Sequence, residues 1–514
     1  MKKIAGSALG VVVVLGALST AGAWYTGQQL PAVLETSIQQ ANQDMGKTLP
    51  ALGLSATIEL VSLERQLFSS NARYRIQFAG SLDGESPSNF EWFVTDHIEH
   101  GPFPLSRLQA LKLLPVMATS NYALERSPEL EKWFASSQGG APLQGQVSLG
   151  YDRSMSGNLR VQPLQMALDE QTQIDFSGLQ IDFDSSANVE AISANGVMDS
   201  FKVTSTLSTD ESMRLEFKGM DLTSNSRKGV SDFYLGQNEV RLQQIELQVG
   251  ENAPILFKDF VQRDETSEAN QQLSARYSYD IGMVSYQGTD IGSSQMLWTV
   301  KNLDAAALKS MIELYGTLLQ SGKVDTESGM PELTDAQTAQ FKTDLEKLLA
   351  GKPGLALEKL AFKTANGESS FSFGLDLDKP ASFDLPAPEL AKQLIAQLDA
   401  KLLVSKAMIT DVIGVQATLA GETDKEAIAQ QAAMVGEMAS GMAVVSELAV
   451  LQGEDISSSL HYANDQVTFN GKQMTVDQFV ALAMSSGGGL AGMGHEAPAD
   501  EALLDESEVE STIQ

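Results

Sequence analysis

The chain of 514 residues has no cysteine. This excludes disulfides, thiol catalysis, cysteine-ligated zinc and a lipidated N-terminal cysteine. Basic charge is scarce as well: 35 Lys and Arg stand against 66 Asp and Glu, a net charge of -31. Nucleic acid and anionic lipid surfaces are gripped through a basic footprint, so neither is an expected partner on bulk electrostatics. The acidity reads as solubility. There are only four histidines, and the chain lacks a G-x-S-x-G elbow, a P-loop lysine and an H-E-x-x-H pair. Glycines crowd residues 487–494, but they follow a helical stretch, which a dinucleotide-binding turn does not. No catalytic residue, cofactor or metal ligand is therefore assigned.

What the sequence has is an apolar start. After Lys2 and Lys3 no charge occurs until Glu35, and residues 4–23 form an apolar run closed by Trp24 and Tyr25. At about 1.5 Å per residue such a run makes a helix near the ~30 Å hydrocarbon thickness, with the aromatic pair at the interface. Its interspersed Gly, Ser and Thr make insertion marginal. Ala21-Gly22-Ala23 also fits a cleavage site that would leave Trp24 as the mature N-terminus. The length of the run and the aromatic pair favour a retained single-pass anchor, N-terminus inside, over a cleaved signal. Either way the rest of the chain is exported.

The expected fold class is α+β, in four stretches: an anchor helix over 1–25, a β-rich region over 26–303, a helix-rich α+β region with hairpins over 304–484, and a disordered acidic tail over 485–514. Leu30, Val33, Leu34 and Ile38 recur at helical spacing directly after the anchor. Beyond them the period becomes two, in an antiparallel meander of short strands. Val240–Leu242 and Ile245–Val249 alternate out of phase with each other, which predicts a bulge between them. Phe176-Ser177-Gly178-Leu179 is echoed by Phe217-Lys218-Gly219-Met220, Phe257-Lys258-Asp259-Phe260 and Val300-Lys301-Asn302-Leu303. A spacing of about 40 residues suits a few strands per repeat unit. Helices are expected over 305–319, over 334–349, over 387–413, over 424–451 and from Val476. Asn366-Gly367 and Asn470-Gly471 mark hairpins. Met434, Met438 and Met442 form one helical stripe, read as core packing, with an adaptable groove for a partner or acyl chain as the alternative.

The one concentration of chemistry is Asp96-His97-Ile98-Glu99-His100, followed by Gly101-Pro102. On a helix His97 and His100 would share a face and could hold a metal. The preceding Phe90–Thr95 is β-prone, however, and on a strand residues three apart point to opposite faces. The structural reading, a strand running into a rigid Gly-Pro turn, is preferred.

Gly22-Ala23-Trp24-Tyr25-Thr26-Gly27, His100-Gly101-Pro102-Phe103-Pro104 and Val467-Thr468-Phe469-Asn470-Gly471-Lys472 together resemble the YdgA-like family of Gram-negative envelope proteins. The resemblance runs to about residue 484. It implies an inner-membrane location with the bulk of the chain in the periplasm, and it implies no activity. Three functions follow as expectations: a non-catalytic envelope protein that binds or scaffolds a partner; a lipid-binding or lipid-transfer module with an apolar trough; and a hydrolase or metal enzyme built on His97 and His100. The expected partners are the inner membrane through residues 4–25 and an envelope protein or lipid. A homo-oligomer stays open.

Overall fold

Strict alternation of apolar and polar residues makes half-buried strands, and short turns between them force neighbours in sequence to become neighbours in space. The computed structural model follows that logic over nearly its whole length. It describes residues 27–43, 45–46, 54–80, 88–137, 140–167, 171–208, 211–320, 333–445 and 447–490. The expected anchor and its Trp24 and Tyr25 lie outside the described residues, as does the tail beyond Leu490.

Helix α1 (27–43) leads into a single antiparallel sheet. Strands β1 (Leu54–Arg65), β2 (Ser69–Gly80), β3 (Ser88–His100), β4 (Ala118–Leu124) and β5 (Leu143–Leu149) pair in order. Two short helices, α2 (Leu105–Gln109) and α3 (Glu131–Ser136), interrupt them. Next come β6 (Met155–Val161) with β7 (Leu164–Ala167), and β8 (Thr172–Phe176) with β9 (Leu179–Ser185). Each couple is one long strand broken once; the two lie in one register against each other, and β8 and β9 lie in one register against β10 (Ala191–Ser208). The longest strands follow: β11 (Glu211–Lys228), β12 (Tyr234–Val249), β13 (Ile255–Ala269), β14 (Gln272–Tyr286) and β15 (Thr289–Asp304).

The sheet passes residue 304 without interruption. After helices α4 (Ala305–Gln320) and α5 (Asp335–Ala350) it adds β16 (Gly354–Lys363), β17 (Glu368–Leu377) and β18 (Ile395–Val404). It ends with β19 (Val450–Gln452), β20 (Asp455–Ala463), β21 (Gln466–Phe469) and β22 (Lys472–Thr475). Helices α6 (Ala387–Leu394), α7 (Lys406–Leu419), α8 (Lys425–Val445) and α9 (Val476–Leu490) complete the described chain.

A crease crosses the middle of this sheet. The ladder passes over Asp199 and Gly219, then Gln243, Asp259 and Gly282, on strand after strand, while the register on either side stays constant. Gly178, Gly219 and Asp259 have φ of 102°, 61° and 53°. These are three of the four echo positions. The fourth, Asn302, has φ 60° but sits at the far end of β15, off the line. The physical need is plain from the sequence. Apolar residues change parity at the crease on every strand, as in Leu215 and Phe217 against Met220 and Leu222. One residue wound out of the extended conformation returns them to the same face.

Among the described residues, packed clusters lie over the first strands and at the ends of two central ones. Leu30 of α1 packs on Ala72, Ile98 and Ala118; Phe134 of α3 joins Val94, Leu124 and Leu130; Ala305 of α4 joins Leu235 and Leu273.

Four expectations about the helices are corrected. Residues 387–413 are not one helix, because β18 replaces its centre: Leu398, Ala400, Leu402 and Val404 alternate, and pairing with β17 and β20 wins over helix propensity. The helix expected over 424–451 stops at Val445, and Val450–Gln452 is strand. Met434, Met438 and Met442 are all exposed, whereas the small Ala432, Gly436 and Ser440 face inward, so the stripe is not core. Residues 485–490, expected in the tail, continue α9. The two Asn-Gly hairpins differ in kind. Asn470 and Gly471 both have positive φ, as a tight two-residue turn requires, while Asn366-Gly367 sits in a longer loop pinned by the Asp411 carboxylate.

The crease yields a direct test. Gly219→Val puts a β-branched residue at left-handed φ, where its Cβ would also meet the Gln243 side chain. It should destabilise the fold by about 1–2 kcal/mol, read as a lower urea midpoint. Asp259→Gly, which suits the same conformation, should leave the midpoint unchanged or slightly raised.

Candidate functional site

The histidine segment lies at the end of β3. Asp96, Ile98 and His100 are buried, while His97 is exposed on the opposite face. The His100 ring sits with Nδ1 3.2 Å from the Leu67 carbonyl and Nε2 2.9 Å from the hydroxyl of fully buried Ser70. A carbonyl only accepts, so Nδ1 carries the hydrogen and Nε2 accepts from Ser70. His97 contacts Asn71 Oδ1 at 2.8 Å. Gly101 donates its N–H to the Met117 carbonyl at 2.7 Å, and a Cβ there would lie 1.8 Å from the Val116 carbonyl oxygen. Only glycine fits. Pro102, across a cis peptide bond, accepts from the Val116 N–H at 3.0 Å.

His461 joins neither ring. It lies on β20, with Nδ1 2.7 Å from Asp399 of β18. Among the described residues no group of three His, Asp or Glu side chains could hold a metal ion.

Two carboxylates of this segment, buried Asp96 and half-buried Glu99, and the nearby buried Arg107 also have defined partners. Asp96 accepts from Ser120 at 2.8 Å and from Tyr74 at 3.4 Å, with no cation bonded to it. Burial pushes its carboxyl above the ordinary value, and burial together with Asp96 pushes the Tyr74 phenol up. Arg107 is buried and donates to Ser148 Oγ at 3.1 Å and to the Leu114 carbonyl at 3.3 Å. The Glu99 carboxylate accepts from the Ser106 N–H and hydroxyl. Sequence patterning flagged Asp96 and Glu99 only by proximity to the histidines and missed Arg107, which sits in an apolar stretch.

Beyond that segment the sheet has two chemically distinct faces. One carries a grid of paired charges. Arg214 and Lys218 contact Glu216 and Glu246, and Glu239 lies between Arg241 and Arg263. Hydrogen bonds from Arg241 and then Arg263 hold the Glu239 carboxyl below its ordinary value. A cavity of about 530 Å³ on this face is lined by Glu239, Arg263, Arg276, Asp280 and Gln295. Within it Arg263 bridges Glu239 and Asp280.

The other face is apolar across many strands. Phe176, Phe201, Phe217, Ile245, Phe257 and Val284 stand directly opposite one another in a row. Phe176 and Phe201 meet edge to face and Phe201 and Phe217 stack. Further on, Trp298, Leu357, Phe373 and Ala400 make another such row. On β10 to β14 these side chains are only half-buried, and Val249, Ile255 and Tyr277 are exposed.

Fold and surface define a β-rich protein with one large antiparallel sheet and no convergent reactive group among the described residues. The chain belongs to the family described as "Bacterial protein of unknown function (DUF945)", whose model matches residues 1–477. It is 27% identical to the Protein YdgA of Escherichia coli (strain K12) over 485 residues, covering 92% of this chain and 95% of that one. The Uncharacterized protein YihF of the same organism is 21% identical over 488 residues, covering 93% and 98%. An Uncharacterized protein of Haemophilus influenzae is 25% identical over 182 residues, covering 35% and 48%.

Asp96 predicts a pH signature. Its carboxyl is raised in the folded chain, so stability should fall as pH rises from the ordinary carboxylate value through the raised one. Asp96→Asn keeps an acceptor for Ser120 and removes the buried charge. At neutral pH it should stabilise the fold by about 1–2 kcal/mol, and the gain should vanish as pH drops below the carboxylate range in thermal melts.

Proposed function

We propose that this chain is a non-catalytic protein of the bacterial envelope, held in the inner membrane through residues 4–25, and that it carries lipid acyl chains on the apolar face of its sheet. The observation that carries this reading is the uncovered row from Phe176 to Val284. The row crosses six strands at ~4.8 Å spacing and the apolar stretch runs about ten residues at ~3.3 Å rise, a sheet area on the order of 900 Å² with its side chains half-buried. A soluble monomer ordinarily exposes a few hundred Å² in one patch. Such a face needs an apolar occupant. A second copy is the poorer one, because each copy brings a net charge of -31. Acyl chains carry no charge and conform to a corrugated surface.

A scaffold reading, in which an envelope protein is the ligand, draws on one feature: the solvent-facing Met434, Met438 and Met442 of α8, flexible side chains suited to a partner helix. An enzyme built on His97 and His100 has no such support, since the two rings lie on opposite sides of β3.

Native mass spectrometry of the full chain, extracted gently from membranes, is the test. Bound phospholipid should be recovered with the wild type and lost from Phe201→Asp/Phe217→Asp, with the fold checked by circular dichroism. Lipid-free wild type, or equal lipid in both proteins, would sink the lipid-carrying reading.

A further inference from the structure

The loop between β3 and β4 is a second apolar surface, of a different kind from the sheet face. Leu111, Leu113 and Leu114 are 82%, 65% and 78% exposed, with Leu105 and Leu108 beside them. Leu67 and Phe68, at the tip of the β1–β2 hairpin, are exposed next to it, because the Phe68 carbonyl accepts the His100 N–H at 2.8 Å. A loop with this much exposed leucine is normally avoided in a soluble protein.

The loop is also built to hold its shape. Its base is closed by the Gly101–Met117 and Val116–Pro102 backbone bonds. Glu99 pins Ser106 from beneath, and the buried Arg107 guanidinium holds the Leu114 carbonyl. Leu111 adopts φ 56°, a conformation disfavoured for leucine, fixed by the Lys112 N–H donating to the Arg107 carbonyl at 2.9 Å. Polar groups are turned inward and leucines outward.

Two independent observations say what the leucines meet. The first is charge. In a chain with 66 acidic residues, residues 100–124 contain none, and carry Arg107 and Lys112. The local sign opposes that of the whole molecule. The second is where the described chain begins. Gly27, the first residue of α1, lies against the His100 ring; a Cβ there would be 2.8 Å from Cε1. The described chain therefore begins at the same end of the sheet as the leucine loop, and the apolar run directly precedes it in sequence.

We infer that the 103–114 loop is a membrane-insertion platform. Its leucines enter the interfacial zone of the bilayer beside the N-terminal segment, while Lys112 stays at headgroup level. The platform fixes how the body stands on the membrane, with its long strands rising away from the surface. This rests on the anchoring half of the proposed function and is independent of the acyl-carrying half.

The absence of cysteine makes the test specific. Single cysteines Leu113→Cys, Glu251→Cys and Ala17→Cys are placed in the full chain and labelled with an environment-sensitive fluorophore. Glu251 is exposed in the β12–β13 turn at the opposite end of the strands. Each variant is reconstituted in phosphatidylcholine vesicles with and without nitroxide-bearing lipid. The label at 113 should blue-shift and be quenched by the lipid nitroxide, and the label at 251 should do neither. A label at 113 that stays in water overturns the platform, and the label at 17 then reports whether the anchor stands. A label at 113 that is shielded but not quenched by lipid also overturns it, in favour of a protein partner or second copy. Quenching at 113 without burial at 17 upholds the platform and removes the anchor.

Discussion

One constraint runs through the whole molecule: each strand must present its apolar side chains to the same side as its neighbours, from β2 to β21, or the sheet loses its character. Antiparallel pairing enforces this locally, because directly opposed residues share a face. Over strands as long as those of β10 to β14 the sequence breaks that parity once, and the crease repairs it. Gly178, Gly219 and Asp259 accept the left-handed conformation, and Gly219 and Gly282 leave room for the side chains of Gln243 and Asp259. The break is repaired at the same height on every strand, so register survives on both sides. A bulge on one strand alone would shift every later pair.

A sheet that stays one layer thick stabilises itself differently from a sandwich. Few side chains reach full burial, and the apolar rows gain mainly from cross-strand contact, with each pair contributing about 0.2–1 kcal/mol. The ends need more. At one end α1 and α3 close two clusters over β2 to β5. At the other, α9 follows the short edge strand β22, and its Phe479 packs edge to face on Phe469 at 5.3 Å between ring centres. Covering the ends protects exposed strand edges from pairing with other chains. Salt bridges on the polar face bring opposite charges into register in an otherwise acidic chain; the well-exposed ones mainly space like charges apart, whereas the largely buried Glu216 and Glu246 need Arg214 and Lys218 as counter-charges.

Much of this was legible in the residues. Alternation located the strands, the phase slip at Gln243 located the crease on β12, and three of the four echo sites turned out to be crease or crease-adjacent positions. The start of the helix expected over 334–349 was readable as well, since Thr334 forms a capping box there with Gln337. The strand parity of Asp96 to His100 was readable too. What could not be read was the number of layers. Leu215-Glu216-Phe217 looks identical whether its apolar side meets a second sheet, a helix or a lipid. The helix misread over 395–404 has the same root, since Ala, Leu and Lys suit either state and the decision was made by β17 and β20, both remote in sequence. The methionine stripe failed for a related reason. On α8 small residues face inward, which lets the helix approach α7 closely and leaves the methionines outside. The leucine loop drew no attention because an apolar stretch in sequence is ordinarily a buried one.

The buried polar groups of the N-terminal part gain meaning from this arrangement. Asp96, His100 and Arg107 would look like a reactive cluster if burial alone were the criterion. Their partners argue otherwise. Each is bonded to neutral hydroxyls and carbonyls of the first five strands and their loops: Ser120 and Tyr74 for Asp96, Ser70 and Leu67 for His100, Ser148 and Leu114 for Arg107. None opens onto a cleft shared with the others. Such bonds cost about as much to bury as they return, so their use is geometric rather than energetic. His100 fixes the hairpin tip that holds Phe68 and the place where α1 begins, and Arg107 fixes the backbone beneath Leu114. The polar chemistry here positions apolar surface, which is the reverse of an active site, where apolar walls position polar groups.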